Sequence, residues 1–280
     1  MRLAVLITCF NRKATTLRGL SALRSALRLI PELAYTIFLV DDLSPDRTGE
    51  AVRSAHPDVH VIEGNGSLFW NRGMCLAFTT ARSFGSFDAY LLFNDDLLVT
   101  ELGVMGAFED FRHCNLRKPT ILAASTTSGD GREITYTGYR SASKIRPRAF
   151  TEVIPNGTLT SIDVFNGNFV LVPGPFFERV NGLDPGFLHT LGDIDLGITA
   201  KAGGLDIMLA RLPVGSCEKN IQFDSGFRAA SFLKRLAMLN HPRFRSHDFL
   251  YFVRKHRPTV LLPLFFLTFH FKRLLKLLVG

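Results

Sequence analysis

The chain has 280 residues, of which 46% are hydrophobic and 21% are charged, so an intrinsically disordered chain and a coiled coil are both excluded. This length allows one large domain, or one domain with an extension. The net charge of +8 is uneven, because residues 221–280 hold 11 of the 33 Lys and Arg residues but only 2 of the 25 Asp and Glu residues.

In the first part of the chain, short apolar runs alternate with segments of helical spacing. Leu3 to Thr8 is typical of a buried strand, and Leu17, Leu20, Leu23 and Leu27 then recur at the spacing of a helix. The runs "YTIFLVDD", "VHVIEG" and "AYLLFNDD" predict three more strands, with helices between them. This alternation predicts an α/β fold with a mostly parallel central sheet flanked by helices.

The second part of the chain is less regular. A stretch rich in Gly, Arg, Thr and Ser predicts loops and antiparallel strands, "FNGNFVLVP" and "GGLDIMLARLP" predict two further strands, and the sequence from about Phe227 onward is helical and basic. We therefore predict a main domain and a helical extension. The predicted bounds are 1–220 for the main domain, with halves at about 1–110 and 111–220, and 221–280 for the basic, apolar extension.

The cysteines and the apolar segments indicate where the protein acts. The four cysteines show no CxxC pair and no zinc-type spacing, which favours a reduced, cytoplasmic protein. The first apolar run lacks a small-residue cleavage site, so it predicts a strand and not a signal peptide. The apolar segment Thr259–Phe271 is too short to span a bilayer, and basic residues follow it. It favours contact with a membrane surface, with packing on the domain or in a homodimer as the alternative.

Polar side chains follow three of the predicted strands at the point where each strand ends. The ends are Thr8 to Asn11, Asp41-Asp42 and Asn94-Asp95-Asp96. In an open α/β sheet, ligands bind beyond the carboxyl ends of the strands. Adjacent carboxylates repel each other unless a cation or a hydrogen-bond donor joins them. Helix capping is the alternative role for these residues.

A dinucleotide-binding domain is disfavoured, because "TCFNRKATT" after the first strand contains no glycine and no GxxxxGK[ST] loop occurs. A bound diphosphate would then need another source of positive charge. A divalent metal held by one or two carboxylates and by phosphate oxygens would supply it, and Asn94-Asp95-Asp96 suits that task.

Six motifs in order resemble the family-2 glycosyltransferases, inverting enzymes of the GT-A fold, and most closely a bacterial rhamnosyltransferase-like branch. They are "TCFNR", "VDDLSPD", "GNGSLFWNRGM", "LLFNDD", "FNGNFVLVP" and "GLDPGFLHTLGDIDLG". The resemblance implies a metal-dependent transferase of hexosyl or rhamnosyl type that uses UDP- or dTDP-sugars. It also implies an acceptor hydroxyl on a glycan or lipid-linked glycan, in cell-surface polysaccharide biosynthesis at the inner face of the plasma membrane.

The resemblance also implies roles for single residues. Asp96 would bind Mn²⁺ or Mg²⁺. The donor would contact Thr8, Asn11, Asp41, Asp42, Trp70, Arg72, Gly73, Asn94 and Asp95. The acceptor would contact Asn166, Gly167, Asn168 and Asp195.

The segment "HTLGDIDLG" matches the motif that supplies the catalytic base, with Gly192 where the family usually has Glu. The resemblance implies that Asp193 is the base. It would take the proton of the acceptor hydroxyl as that hydroxyl attacks the anomeric carbon opposite the leaving diphosphate. An N-cap role for Asp193 is the alternative, and the two roles are compatible.

The chain departs from the family pattern in three segments. Cys75 and Ala77 replace an Asn and a Gly, and Thr199 replaces an Arg. Late in the domain, where many relatives have a metal-binding His, "PVGSCEKN" has only Cys217 and Glu218. His189, four residues before Asp193, is interpreted as a structural or exposed side chain.

Two alternatives stay open at the sequence level: a sugar-phosphate nucleotidyltransferase, although the basic Gly-rich loop of such enzymes is missing, and a non-catalytic scaffold at a membrane. Nucleic-acid binding is disfavoured, because the basic residues lie among apolar runs and no nucleic-acid motif is present.

Overall fold

The computed structural model describes residues 1–143, 149–219, 227, 230–239 and 246–279. The boundary predicted at residue 220 lies outside these residues. The described strands are β1 (Arg2–Cys9), β2 (Ala34–Asp41), β3 (His60–Glu63), β4 (Ala89–Asn94), β5 (Leu98–Val99), β6 (Thr120–Ala123), β7 (Thr126–Thr127), β8 (Ile134–Tyr136), β9 (Gly138–Ser141), β10 (Phe150–Val153), β11 (Thr160–Ser161), β12 (Val164–Phe165), β13 (Phe169–Pro173), β14 (Asp206–Leu209) and β15 (Gly215–Ser216).

Helices cover both faces of the strands and continue beyond them. The described helices are α1 (Lys13–Arg28), α2 (Thr48–Ala55), α3 (Phe69–Ser83), α4 (Glu101–Asn115), α5 (Gly174–Arg179), α6 (Gly192–Ala202), α7 (Phe232–Met238), α8 (Ser246–His256), a 3₁₀ turn (Thr259–Leu261) and α9 (Leu262–Val279). Among the described residues, none of these helices combines the length and the apolarity needed to cross a bilayer.

The main sheet has the strand order β11-β14-β6-β13-β4-β1-β2-β3. The pairs of β1 with β2 and β4, β2 with β3, and β6 with β14 are parallel, whereas β13 is antiparallel to both of its neighbours. The sheet is therefore mixed, and the half formed by β1, β2, β3 and β4 is parallel, as the sequence predicts. Both predicted halves share this sheet, since β13 lies between β4 and β6.

The core forms two layers because side chains alternate along the buried strands. Leu3, Val5 and Ile7 point toward the layer that α1 and α4 cover. Ala4 and Leu6 point toward the other layer, which α3, α5 and α6 cover. Both faces are apolar, which explains why these strands are continuous hydrophobic runs in the sequence.

The register brings the three polar strand ends together. Thr8 of β1 pairs with Asn94 of β4, and Cys9 pairs with Asp41 of β2. The antiparallel strands predicted for the middle of the chain form two small sheets, β10-β9-β12 and β5-β15-β7-β8. They lie beside the same edge and extend it into a walled cleft.

Candidate active site

A cavity of about 900 Å³ opens at this edge of the sheet, a size typical of small-molecule sites. Ten of the residues expected to bind donor, acceptor or metal line it. They are Thr8, Asp42, Trp70, Asn94, Asp95, Asp96, Asn166, Gly167, Asn168 and Asp193. The structure thus brings together residues that are up to 185 positions apart in the sequence.

Five expected residues lie outside the cavity wall. Asn11, at φ 53°, donates its backbone N–H to Ser44, and Arg72 donates to the carbonyl of Pro185. Gly73 packs so closely on Thr8 that a Cβ there would overlap the threonine side chain. The other two are Asp41 and Asp195.

The carboxylates of Asp41 and Asp42 hold the loops behind the cavity by accepting backbone N–H groups. Asp41 accepts the N–H groups of Ser44 and Gly49. Asp42 accepts that of Gly66 with one oxygen, and with the other those of Leu68 and Phe69, where α3 begins. Asp42 also borders the cavity, so it can hold the loop and contact a ligand.

Asp195 has a different role from the acceptor contact expected. Its side chain is 4% exposed and binds Lys255 Nζ at 2.9 Å and His256 Nε2 at 2.6 Å. Lys255 also binds Asp184 at 2.6 Å. Because two side chains of α8 already occupy this carboxylate, Asp195 anchors α8 to α6 instead of lining the cavity.

The acidic pair at the end of β4 is neutralised by Arg12. Its Nη1 atom lies 3.3 Å from Asp95 Oδ1 and 2.7 Å from Asp96 Oδ2. The other oxygen of Asp95 accepts the hydroxyl of Thr16 at 2.8 Å. Burial raises the pKa of Asp95 to about 6, and the charge of Arg12 opposes that shift. The repulsion expected between the two carboxylates is thus relieved by a cation of the chain itself.

The ligand atoms at Asp96 fit a divalent metal whose coordination a substrate would complete. The Asp96 side chain is 30% exposed, and the thiol of Cys217 lies 3.6 Å from its Oδ1 atom. Among the described residues, no cluster of three His, Cys, Asp or Glu side chains is arranged to hold a metal. Mg²⁺ commonly binds one or two carboxylates together with substrate phosphates, and Asp96, which is partly exposed and paired with Arg12, supplies one carboxylate of this kind.

Amides and an indole connect the two halves of the cavity. Trp70 Nε1 donates to Asn94 Oδ1 at 2.7 Å, and the amide of Asn94 donates to that of Asn168. Gly167 faces the indole, where an added Cβ would overlap the ring. Asn94 therefore connects Trp70 of α3 with Asn168 across the cavity.

Asp193 lies in the first turn of α6 and lines the cavity. Its Oδ2 atom accepts the N–H of Gly167 at 3.0 Å, and its Oδ1 atom accepts that of Ile194 at 2.8 Å. Burial raises the pKa of Asp193 to about 6, against the effect of these two hydrogen bonds. A carboxylate with such a pKa is mostly ionised at neutral pH yet is a stronger base than an exposed one.

The presence of glycine at position 192, directly before Asp193, has a steric explanation. A Cβ at Gly192 would overlap Asn71 Oδ1. The amide of Asn71 donates to the carbonyls of Asp184 at 2.9 Å and Phe187 at 3.0 Å, which fixes the loop that leads to α6. A Glu side chain at position 192 would overlap Asn71 while Asn71 holds this loop. The position of Asn71 therefore explains why this chain departs from the family motif.

The loop before α6 is held by a side chain of α8. Asp248, 2% exposed, accepts the backbone N–H groups of Leu188, His189 and Thr190 at 2.8 to 2.9 Å. Burial disfavours its charge, but these donors and His247 outweigh that effect and lower the pKa of Asp248. Since His189 and Thr190 line the cavity, α8 shapes the wall beside Asp193.

The sequence did not reveal several of these residues. Thr16 and Asp248 lie outside the motifs, and Arg12 ends the motif "TCFNR" without having been given a role. His189 lies at the cavity, where its ring is 6.0 Å from that of Phe69, so the interpretation as a merely structural residue is incomplete.

Comparisons with known proteins agree with this geometry. Residues 4–103 match the model described as glycosyl transferase family 2, and no curated protein matches the chain. The structure of S. aureus TarS 1-349 is 13% identical, with a TM-score of 0.52 over 86% of this chain and 66% of that one. The mannosyltransferase PcManGT from Pyrobaculum calidifontis, in complex with GDP-Man and Mn²⁺, is 16% identical, with a TM-score of 0.55 over 99% of this chain and 72% of that one.

A third structure, GalNAc-T7 with UDP, GalNAc and Mn²⁺, is 11% identical, with a TM-score of 0.61 over 94% of this chain and 56% of that one. The chain thus spans just under two thirds of the TarS structure and about half of GalNAc-T7. At these identities the likeness shows the fold alone, which is the GT-A fold that the motifs predicted. Together with the match of residues 4–103 to the model of glycosyl transferase family 2, it confirms the resemblance that the motifs indicate.

Proposed function

We propose that the protein transfers a sugar from a nucleoside-diphosphate donor to an acceptor hydroxyl with inversion. The observation that carries this proposal is the presence in one cavity of two different carboxylate environments. The Asp95–Asp96 pair lies with a cation at the strand end, and Asp193 is held by backbone N–H groups. The first suits a divalent metal that binds a diphosphate, and the second suits a base.

In this mechanism Asp193 takes the proton of the acceptor hydroxyl. The N–H groups of Gly167 and Ile194 keep its carboxylate oriented, and its burial makes it a better proton acceptor. No residue needs to bond to the sugar, so the anomeric configuration inverts. Trp70 and Asn94 hold the two walls in register.

A divalent metal, Mn²⁺ or Mg²⁺, would be held by Asp96, with the donor diphosphate completing its coordination. When bound, it stabilises the charge of the leaving diphosphate as a Lewis acid. The Mn²⁺ and the nucleotide or nucleotide sugar present in PcManGT and GalNAc-T7 support this donor class. The proposal covers UDP- and dTDP-sugars of hexosyl or rhamnosyl type.

For the acceptor we propose a glycan or lipid-linked glycan of cell-surface polysaccharide biosynthesis, used by a peripheral protein on the inner face of the plasma membrane. The cavity is lined by the partly exposed aromatic side chains of Tyr139 and Phe150, which are of the kind that sugars stack on. The retention of both Asp96 and Asp193 in the cavity counts against a non-catalytic scaffold.

A donor screen tests the proposal. Release of nucleoside diphosphate would be measured for a panel of sugar nucleotides with Mn²⁺, and binding of UDP and dTDP would be titrated with and without Mn²⁺. We expect Mn²⁺ to tighten nucleotide binding in the wild-type protein and to have little effect in Asp96→Ala. Asp206→Ala, which changes an exposed carboxylate remote from the cavity, is the matched control. Pyrophosphate release from a nucleoside triphosphate and a sugar phosphate would instead establish a nucleotidyltransferase.

A further inference from the structure

An apolar stripe runs along the exposed side of α9 and the turn before it. Its residues recur at intervals of three and four, and each is more than half exposed. They are Val260 at 81%, Leu264 at 56%, Leu267 at 65%, Phe271 at 61% and Leu274 at 52% exposure. This spacing places them on one side of the helix, because residues three and four apart share a face.

The opposite side of α9 is packed. Phe269 stacks on Phe249 of α8 with ring centroids 5.1 Å apart, and Leu277 is 8% exposed. Arg273 of α9 donates to the carbonyl of Leu239, and Arg235 of α7 donates to that of Leu277. The helix is therefore fixed on α7 and α8, and the stripe is left facing outward.

Among the described residues of α8 and α9, the exposed charges are of one sign. No acidic residue follows Asp248 in the sequence, and Asp248 itself is buried. Lys272 is exposed next to Phe271, and Arg254 of α8 is exposed. Lys276 follows Lys272 in the sequence. A second copy packed on the stripe would bring basic residues against basic residues, whereas an anionic surface would complement them.

We propose that the stripe of α9 docks on an anionic lipid surface, with Phe and Leu side chains in the acyl boundary and the lysines at the head groups. The inference deepens the proposed function, because α8 connects α9 to the loop at Leu188–Thr190 and to Asp195. Docking would therefore hold the acceptor side of the cavity close to the lipid. It rests on the proposed function only for the identity of that acceptor.

Co-sedimentation with vesicles tests the docking without any transfer assay. The full chain would be mixed with vesicles of phosphatidylcholine alone, or of equimolar phosphatidylcholine and phosphatidylglycerol, at low and high salt. We expect binding to the anionic vesicles, weakened by salt. The double variant Leu267→Glu/Phe271→Glu should lose at least about tenfold in affinity, because two apolar side chains that would enter the lipid are replaced by charges.

Leu102→Glu/Leu116→Glu is the matched control, since those leucines at the two ends of α4 are 80% and 83% exposed and lie outside the stripe. It should bind like the wild type, and so should Asp193→Asn, so a failed transferase assignment would not disturb this result. Absence of vesicle binding, or equal binding to neutral vesicles, would overturn the proposal. A dimer in light scattering that Leu267→Glu/Phe271→Glu dissolves would overturn it in favour of a second copy.

Discussion

Asp193 and Asp248 both accept backbone N–H groups, but they differ in what surrounds them: Asp193 is partly buried at the start of α6, and Asp248 is buried on α8. Asp248 accepts three consecutive backbone N–H groups, the hydroxyl of Thr190 and a contact from His247, and its pKa is lowered. Asp193 accepts two backbone N–H groups, and its pKa is raised to about 6. Burial has the larger effect on the pKa of Asp193, whereas the more numerous hydrogen bonds of Asp248 outweigh the effect of burial on its charge.

The largest effect on stability is expected at Asp248. Asp248→Ala leaves three buried N–H groups of the 188–190 loop without their acceptor, so the free energy of unfolding should fall by about 3 kcal/mol. Urea denaturation measures this loss. Asp206→Ala is the control, because its pair with Lys118 is about half exposed and should contribute about 0–1 kcal/mol. Equal losses in the two variants would show that Asp248 is not an anchor.

A smaller loss of stability is expected at Gly192, the first residue of the helix that carries Asp193. Gly192→Ala should cost about 1–3 kcal/mol, because the new methyl group overlaps Asn71. Gly106→Ala on α4 is the matched control, since nothing lies within 4 Å of its added Cβ. The free energy of unfolding of Gly106→Ala should rise by about 0.5–1 kcal/mol, because Ala favours the helix more than Gly does.

A double-mutant cycle sharpens the result at Gly192. With Asn71→Ala in place, the further change Gly192→Ala should cost less than it does alone, because the overlapping amide is gone. Strict additivity of the two changes would contradict the steric explanation for the missing Glu.

The difference between Asp193 and Asp248 also predicts how activity and stability depend on pH. Asp193 accepts a proton only when it is ionised, so kcat should fall about tenfold for each pH unit below about 6. The lowered pKa of Asp248 gives stability that is present above the ordinary carboxyl value of 3.8 and is lost as the pH falls through the lower folded value. Activity should therefore disappear on acidification while near-ultraviolet circular dichroism still shows a folded protein. A kcat that stays constant from pH 7 to pH 5 would contradict the role of Asp193.

The strands and their polar ends were predictable because they are local patterns. Leu3 to Thr8 and Tyr90 to Phe93 are apolar runs that end in polar residues, and parallel strands place such ends on one edge. The position of Asp193 at the start of a helix followed from its motif in the same way.

The contacts that give these residues their properties were not predictable. Arg12 meets Asp95 across 83 positions and Asp248 meets Leu188 across 60, and neither contact leaves a local pattern. Asp195 looked like a site residue because it follows Asp193 by two positions. On a helix that spacing turns a side chain to another face, where Lys255 and His256 bind it.

The most direct test of the account is the effect of Asp193→Asn on transfer and on donor binding in the same preparation. The amide keeps the size of the side chain but cannot take the acceptor proton, so transfer should fall by about 10²- to 10⁴-fold. The affinity for UDP or dTDP with Mn²⁺ should stay within about twofold of the wild type, since Asp193 is expected to contact the acceptor and not the nucleotide. Asp206→Asn should change neither quantity. Transfer at the wild-type rate by Asp193→Asn would contradict the account.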